Sequence, residues 1–231
     1  MNYTVILIFF LFICIFTYGI IVGILQTRMP IFIISLERRQ NRREVLLKNI
    51  KSSIHYYVAQ IYANDGQKTV EKFIERPGEV GCFMSHLYMW KYFLLNTNNK
   101  YALVLEDDAD IHLPEQWILI EKCLRTAPKD WDIIWLGATR ILQPEMNTPV
   151  NEYLMYNGSK IWGTHAYLVS RKGAMNLYNS YKYLQTLNRV EYFKQIMPID
   201  VLVSERSDIN QYIISPHYMV GQLKYMSDTR S

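Results

Sequence analysis

The chain has 231 residues, a formal net charge of +4 and three cysteines. This length is enough for one α/β domain with a sizeable core. A disulfide framework is excluded, because Cys14 lies in an apolar stretch and leaves only Cys82 and Cys123 as a possible pair. Nucleic-acid binding is not indicated either, because the basic residues are scattered apart from one run, Arg38, Arg39, Arg42 and Arg43.

The first 27 residues carry no charged side chain. Residues 3–25 are almost wholly apolar and could cross a hydrocarbon core of about 30 Å, so we predict a transmembrane anchor at residues 1–27. A cleaved signal peptide is the alternative, but its start would be basic and its apolar region shorter. Arg28 and the arginines after it favour a cytoplasmic body, whereas the sequon at Asn157 would be used only in a lumenal one. The orientation in the membrane stays open.

Apolar runs of strand length alternate with helical patterns along the rest of the chain. We predict strands at residues 31–36, 56–62, 102–105, 133–136, 162–170 and 211–214. Helices are predicted after the first strand, with Val45, Leu46 and Ile50 on one face, and at residues 69–75, 87–95, 115–126, 173–184 and 198–204. Residues 77–86 are interpreted as a glycine-containing loop and 138–160 as a long irregular one. The alternation predicts a mostly parallel sheet covered on both faces.

Four acidic residues follow the predicted strand at 102–105 directly: Glu106, Asp107, Asp108 and Asp110. They fall at the carboxyl end of a strand, where open α/β sheets bind their ligands. Crowded like charges are costly unless a cation lies among them, and a hard divalent ion held by carboxylates, phosphate oxygens and water would supply that charge. The alternative is a solvated acidic turn in which Asp110 caps the helix that begins near Pro114.

Polar residues also follow the first two predicted strands, with Arg38 after one and Asp65 after the other. All three strands would deliver these groups to one edge of a parallel sheet. Arginines, acids and a metal in one place suit a nucleoside diphosphate. An exposed arginine-rich helix start that binds nothing is the alternative for the basic run.

Several motifs, in order, resemble glycosyltransferase family 25, which includes lipooligosaccharide and procollagen galactosyltransferases. They cover most of residues 30–228 and comprise Ile33-Ile34-Ser35-Leu36-Glu37-Arg38-Arg39-Gln40-Asn41-Arg42, Ala63-Asn64-Asp65-Gly66, Gly78-Glu79-Val80-Gly81-Cys82-Phe83-Met84-Ser85-His86, Leu103-Val104-Leu105-Glu106-Asp107-Asp108 and Pro198-Ile199-Asp200. The resemblance implies a GT-A fold at residues 28–231, a UDP-sugar donor, Mn²⁺ or Mg²⁺, and inversion at the anomeric carbon.

Residue roles follow from the same resemblance. The triplet Glu106-Asp107-Asp108 takes the place of the DxD motif at the donor site, with Asp108 as the expected direct metal ligand and Glu106 beside the metal and the ribose. Asp65 is the candidate for the nucleoside, and Arg38 for the phosphates or the base. Ser35 departs from the family, where Asn is common, which puts the polar contact at the end of the first strand in doubt.

Two further residues are candidates from their chemistry. Inverting transfer needs a base for the acceptor hydroxyl, and Asp200, near a helix start after Pro198, is the candidate; an ordinary helix N-cap is the alternative. His86 is interpreted as a hydrogen-bond donor near the phosphates or as a buried structural histidine. His112 and His165 are expected at turns or in solvent, and Trp162 and Tyr167 are expected in the core.

The sequence therefore predicts a membrane-anchored, inverting hexosyltransferase that moves galactose or glucose from a UDP-sugar to a glycan or glycoprotein hydroxyl. A catalytically inactive, membrane-anchored binding protein is the alternative, and a phosphate-ester hydrolase is a third reading. Turnover of a UDP-sugar with an acceptor would distinguish the first from the others.

Overall fold

The computed structural model describes residues 29–50, 56–63, 65, 77–183, 198–215 and 220–223. Its strands are β1 Met29–Ser35, β2 Tyr56–Tyr62, β3 Tyr101–Glu106, β4 Ala109–Asp110, β5 Ile133–Trp135, β6 Arg140–Leu142, β7 Thr148–Pro149, β8 Leu154–Tyr156, β9 Lys160–Trp162, β10 Ala166–Ser170, β11 Gln211–Ile214 and β12 Gly221–Gln222. Its α-helices are α1 Gln40–Ile50, α2 Pro77–Asn96, α3 Pro114–Thr126, α4 Arg171–Tyr181 and α5 Ile199–Ser204, and short 3₁₀ turns occur at Glu37–Arg39 and Pro144–Met146.

Eight strands form one sheet in the order β2-β1-β3-β10-β5-β11-β8-β7. The pairings β1 with β2, β1 with β3 and β5 with β11 are parallel. Strand β10 runs antiparallel to both β3 and β5, and β8 is antiparallel to β11 and β7. The sheet is therefore mixed: β10 and β8 run against the other six strands, so the predicted mostly parallel sheet is confirmed only in part.

The core consists of two apolar layers, one on each face of the sheet. Because successive strand residues point to opposite faces, Phe32 and Ile34 of β1 pack with helices α2, α4 and α5. Ile31 and Ile33 of the same strand pack with α1 and α3 on the other face. Near-continuous apolar strands are the expected result of a sheet that is buried on both faces.

Helix α2 differs from the prediction over residues 77–86. These residues are helical, and α2 begins at Pro77, a position that suits proline because the first helical N–H has no intrahelical partner. Gly78 and Gly81 therefore lie inside a helix and do not form turns. Tertiary packing outweighs their low helix propensity, since Val80 and Phe83 are buried against the sheet.

Smaller differences from the prediction occur in helix α1 and over residues 138–170. Leu46 and Ile50 face the core, but Val45 is 47% exposed, so its predicted place on the apolar face of α1 was wrong. Residues 138–160 contain the short strands β6, β7 and β8. Residues 162–170 do not form one strand, because β9 pairs with β6 in a separate ribbon.

Two predicted segments lie outside the described residues, the anchor at 1–27 and the helix at 69–75. Within the residues that the structure describes, we find no helix long and apolar enough to cross a membrane. The sequon residue Asn157 is buried, and its amide donates to the Ser159 carbonyl while its oxygen accepts from the Ser159 hydroxyl. The side chain of Asn157 is thus buried and hydrogen-bonded in the folded chain.

Candidate active site

The ends of β1, β2 and β3 lie at one edge of the sheet, as predicted. Ser35 is opposite Tyr62 in the β1–β2 register, and Ile34 is opposite Glu106 in the β1–β3 register. The triplet Glu106-Asp107-Asp108, called the acidic turn below, begins with the last residue of β3 at this edge. Its last backbone carbonyl accepts a hydrogen bond from Leu223 N at 2.8 Å, next to the short ribbon of β4 and β12.

Glu106 is held by two side chains from other elements. His86 of α2 is fully buried, with Nε2 3.2 Å from Glu106 Oε1 and Nδ1 2.8 Å from the Tyr167 hydroxyl. Thr164 donates its hydroxyl to the same Glu106 oxygen. Burial by itself raises the pKa of Glu106, but the hydrogen bonds from His86 and Thr164 and the charge of His86 outweigh it, so its pKa lies below the usual value.

Asp107 points to the opposite side of the turn, toward β1 and α1. The Ser35 hydroxyl donates to Asp107 Oδ2 at 2.5 Å, and Arg42 Nη1 lies 3.6 Å from Oδ1. Burial raises the pKa of Asp107, while Ser35 and Arg42 limit the rise. Asp107 therefore ties the acidic turn to the first strand through the hydroxyl of Ser35, the residue that departs from the family pattern.

Asp108 has one carboxylate oxygen in use and one available. Gln222 of β12 donates to Oδ2 at 3.0 Å. Oδ1 is buried and has no hydrogen-bond partner among the described residues. Burial and the negative charges of Glu106 and Asp107 raise the pKa of Asp108 to about 7. A buried carboxylate oxygen among like charges is the environment that a bound cation would relieve.

The donor set at the acidic turn fits a hard divalent ion. Carboxylate oxygens are the ligands that Mg²⁺ and Mn²⁺ prefer, and Asp108 with Glu106 can offer them. A second possible group, Cys82, His86 and Glu106, has ligand atoms within 4.8 Å of one another. It suits a metal less well, because burial and the charge of Glu106 raise the pKa of the Cys82 thiol far above its usual value, and His86 uses both ring nitrogens.

Arg38 and Asp65 form an ion pair at the ends of β1 and β2. Both side chains lie at the sheet edge that carries the acidic turn, which is where the prediction placed them. The pair is partly exposed, and it joins one candidate for the phosphates or base to the candidate for the nucleoside.

Asp200 is the second residue of α5 and not its N-cap, which is Pro198. Its Oδ2 accepts from Gly163 N at 2.7 Å and its Oδ1 from Val201 N at 2.9 Å. Gly163 has a φ of +100°, and a Cβ there would lie 2.5 Å from the Thr139 hydroxyl oxygen. Asp200 thus holds the turn that delivers Thr164 to Glu106.

The other candidates of the sequence are distributed differently from expectation. His165 is buried, with Nε2 bonded to the Val220 carbonyl, and burial lowers its pKa. Tyr167 is in the core as predicted, but Trp162 is 40% exposed. Asp110 pairs with the half-exposed His112, and the side chain of Gln116 caps α3 instead.

Sequence reasoning missed the supporting roles of Thr164, Gln222 and Thr139. Gln222 donates to Asp108 and accepts from the Thr139 hydroxyl at 3.1 Å, while Thr164 holds Glu106. They are separated from the acidic turn by at least 30 residues of chain, and a single threonine or glutamine carries no local signal of such a contact.

The sequence model of a family described as "Glycosyltransferase family 25 (LPS biosynthesis protein)" matches residues 28–203. The chain belongs to glycosyltransferase family 25. The resemblance drawn from the motifs is therefore confirmed, and the three residues of the acidic turn lie inside the matched region of this family 25 chain.

Curated relatives of this family 25 chain include procollagen galactosyltransferases. Procollagen galactosyltransferase 1-A of Xenopus laevis is 29% identical over 234 residues, a match that covers 87% of this chain and 38% of the relative. Procollagen galactosyltransferase 2 of Homo sapiens is 25% identical over 87% of this chain and 37% of its own length. The chain thus spans less than half the length of these relatives.

Among solved structures, a glycosyltransferase involved in the glycosylation of the major capsid of PBCV-1 aligns over 82% of each chain, with a TM-score of 0.47 and 9% sequence identity. A TM-score of this size is too low to assign a fold. The family of this chain is decided by sequence.

Proposed function

We propose that this family 25 chain is an inverting hexosyltransferase with a GT-A-type donor site that moves galactose, or else glucose, from a UDP-sugar to a hydroxyl of a glycan or glycoprotein. One observation carries the proposal: Asp108 Oδ1 is buried and has no hydrogen-bond partner among the described residues. It lies near a second carboxylate, Glu106, whose negative charge helps to raise the pKa of Asp108. The printed names of the relatives, procollagen galactosyltransferases, support galactose as the first sugar to test.

Mn²⁺ or Mg²⁺ fits the oxygen donors of the acidic turn, and when bound it would neutralise charge that grows on the leaving diphosphate. Asp108 and Glu106 would hold the ion. Glu106 is fixed by His86 and Thr164, so little reorganisation is needed when the donor enters. Asp107 anchors the turn to β1 and keeps the other two carboxylates in place.

The remaining candidates have separate tasks in the proposal. Arg38 and Asp65 contact the nucleoside diphosphate, with Arg38 on the phosphates or base. Asp200 accepts the proton of the attacking hydroxyl; a carboxylate oxygen has two lone pairs, so Oδ2 can accept from Gly163 N and still take a proton. Residues 1–27 anchor the domain to a membrane, and the proposal does not specify on which side of the membrane the domain lies.

The test compares Asp108→Asn with Asp107→Asn in thermal unfolding and in UDP release from UDP-galactose. Wild type should be stabilised by Mn²⁺ plus UDP, by about 2.7 kcal/mol at one hundred times the dissociation constant, and should turn over with an acceptor. Asp108→Asn should abolish both effects. Asp107→Asn should lower the melting temperature, because it weakens a buried contact with Arg42, but should keep the response to metal.

Two outcomes would refute the proposal. A metal response that survives Asp108→Asn places the ion elsewhere. Binding of UDP-sugars without any transfer across a broad acceptor panel favours the catalytically inactive binding protein, and phosphate release without a sugar acceptor favours a hydrolase.

A further inference from the structure

The exposed face of the β6–β9 ribbon carries an aromatic side chain that the proposed reaction has not used. Trp162 of β9 is 40% exposed, whereas its neighbour Ile161 is fully buried on the other face of the ribbon. Arg140, its cross-strand partner on β6, lies with its guanidinium carbon 5.3 Å from the centre of the indole ring. The ribbon therefore presents a flat ring and a cation with hydrogen-bond donors side by side.

The backbone on which this pair lies is held by hydrogen bonds. The Thr139 N–H donates to the Trp162 carbonyl at 2.7 Å, and the Gly163 N–H donates to Asp200. The positive φ of Gly163 fixes the turn that follows Trp162. An exposed aromatic on a fixed backbone loses little entropy when it binds, which distinguishes it from an aromatic on a mobile loop.

The pair is also continuous with the acidic turn. Thr139, adjacent to Arg140, donates to Gln222, and Gln222 donates to Asp108. Thr164, two residues after Trp162, donates to Glu106. Two residues of chain span at most about 7 Å, so the backbone of Trp162 lies within about that distance of Thr164, which contacts Glu106, and it is adjacent to Gly163, which contacts the proposed base, Asp200.

We propose that Trp162 and Arg140 form the acceptor subsite of this chain and that the acceptor they bind is a carbohydrate. The proposal rests on the function proposed above. The apolar face of a pyranose ring stacks on the exposed part of the indole, and Arg140 donates hydrogen bonds to the ring hydroxyls. One sugar unit held there presents a hydroxyl to Asp200 and to the donor at the acidic turn. A peptide acceptor is the competing possibility, and it becomes an outcome of the test.

The test measures binding and kinetics separately, with methyl β-galactoside, methyl β-glucoside and N-acetylglucosamine as carbohydrate probes and a peptide that carries a side-chain hydroxyl as the competing probe. The variants are Trp162→Ala, Trp162→Phe and, as a matched control, Tyr88→Ala; Tyr88 is 52% exposed on helix α2, outside the proposed site. Binding is followed by saturation-transfer NMR, and transfer by UDP release with UDP-galactose at saturation.

At least one glycoside should bind wild type, and Trp162→Ala should weaken that binding and raise the acceptor KM about tenfold or more. Trp162→Phe should keep most of the affinity, and Tyr88→Ala all of it. Tyr88→Ala should leave the KM for UDP-galactose and the acceptor-independent hydrolysis of UDP-galactose unchanged, and Trp162→Ala should raise the acceptor KM by a larger factor than the KM for UDP-galactose. That split between acceptor and donor would not arise from a general loss of structure.

Failure of the subsite and failure of the proposed function have different signatures. Unchanged glycoside binding and acceptor KM in Trp162→Ala, or binding of the peptide probe alone, overturns the subsite while leaving the transferase intact. Glycoside binding that depends on Trp162 in a chain that transfers no sugar keeps the subsite and overturns the transferase.

Discussion

His86 Nε2 lies 3.2 Å from Glu106 Oε1, and the imidazole that makes this contact is fully buried. Because the carboxylate can only accept, Nε2 donates, and the Tyr167 hydroxyl at Nδ1 fixes the other side of the ring. Helix α2 therefore positions the Glu106 carboxylate through the His86 side chain, which is not exposed to solvent.

We expect His86→Ala to destabilise the fold by about 1–3 kcal/mol at pH 7, because Glu106 and the buried Tyr167 hydroxyl each lose a hydrogen-bond partner. The pKa of Glu106 is below its ordinary value of 4.5 in the folded chain, so its contribution to stability is present above that value and is lost as the pH falls through the lower folded pKa. The gap between wild type and variant should thus be largest at pH 7 and should narrow in acid. Urea unfolding across that range measures it.

His86→Gln serves as the control, since its amide retains a donor. It should recover part of the stability that His86→Ala loses. Equal loss in His86→Ala and His86→Gln, with a gap that does not change with pH, would mean that His86 acts only by filling space.

The raised pKa of Asp108 predicts that the stability of the metal-free protein changes with pH in the opposite direction. Its pKa is raised from 3.8 to about 7, so the folded state binds a proton that the unfolded state has lost, and stability falls as the pH rises between those values. The full shift corresponds to at most about 4 kcal/mol, and partial solvation reduces it. Asp108→Asn should remove this loss and melt at a higher temperature than wild type at pH 8 in EDTA.

The same variant should gain nothing from added Mn²⁺, whereas wild type should recover stability. Differential scanning calorimetry at pH 5 and pH 8, with EDTA or Mn²⁺, gives all four comparisons. If the stability difference between wild type and Asp108→Asn is the same at pH 8 as at pH 5 without metal, the raised pKa of Asp108 is wrong.

A substitution at Asp200 distinguishes two roles for its carboxylate: accepting a proton, or only positioning the backbone of Gly163. Asp200→Asn keeps a side-chain oxygen that can accept from Gly163 N but is a far weaker base. If Asp200 takes the proton of the acceptor, kcat should fall by about 10²-fold or more with little change in melting temperature. Steady-state kinetics with UDP-galactose measures this, and a fall of less than tenfold would assign Asp200 to positioning alone.

Gly163 should not tolerate a side chain. A Cβ there would lie 2.5 Å from the Thr139 hydroxyl oxygen, on a backbone with φ of +100°. We expect Gly163→Ala to cost about 1–3 kcal/mol and to lower activity, because the turn carries Thr164. In Gly221→Ala the new Cβ would meet its nearest atom at 3.5 Å, so that variant should retain wild-type stability. Equal melting temperatures for the two variants would contradict the strained turn at Gly163.

Local pattern was enough to predict much of the sheet. The strands at 56–62 and 211–214 have the predicted bounds, and the predicted acidic turn follows β3 at the edge shared with the ends of β1 and β2. An apolar run with a polar end is a local signal, and parallel neighbours bring such ends together. The signal failed at Gly78 and Gly81, where the packing of α2 against the sheet outweighs the local preference of glycine.

The sequence by itself determined the α/β class, the family and the carboxylates of the acidic turn, because each is written in contiguous residues whose periodicity and chemistry are local. Only the tertiary structure decided the surroundings of those carboxylates: Asp107 contacts Ser35 and Arg42, and Glu106 contacts His86 and Thr164. Asp108 Oδ1 is buried with no hydrogen-bond partner among the described residues. The partners come from strands and helices far apart in the chain. Their meeting depends on the order of strands in the sheet, above all on β10, which enters between β3 and β5 and brings Thr164 to Glu106.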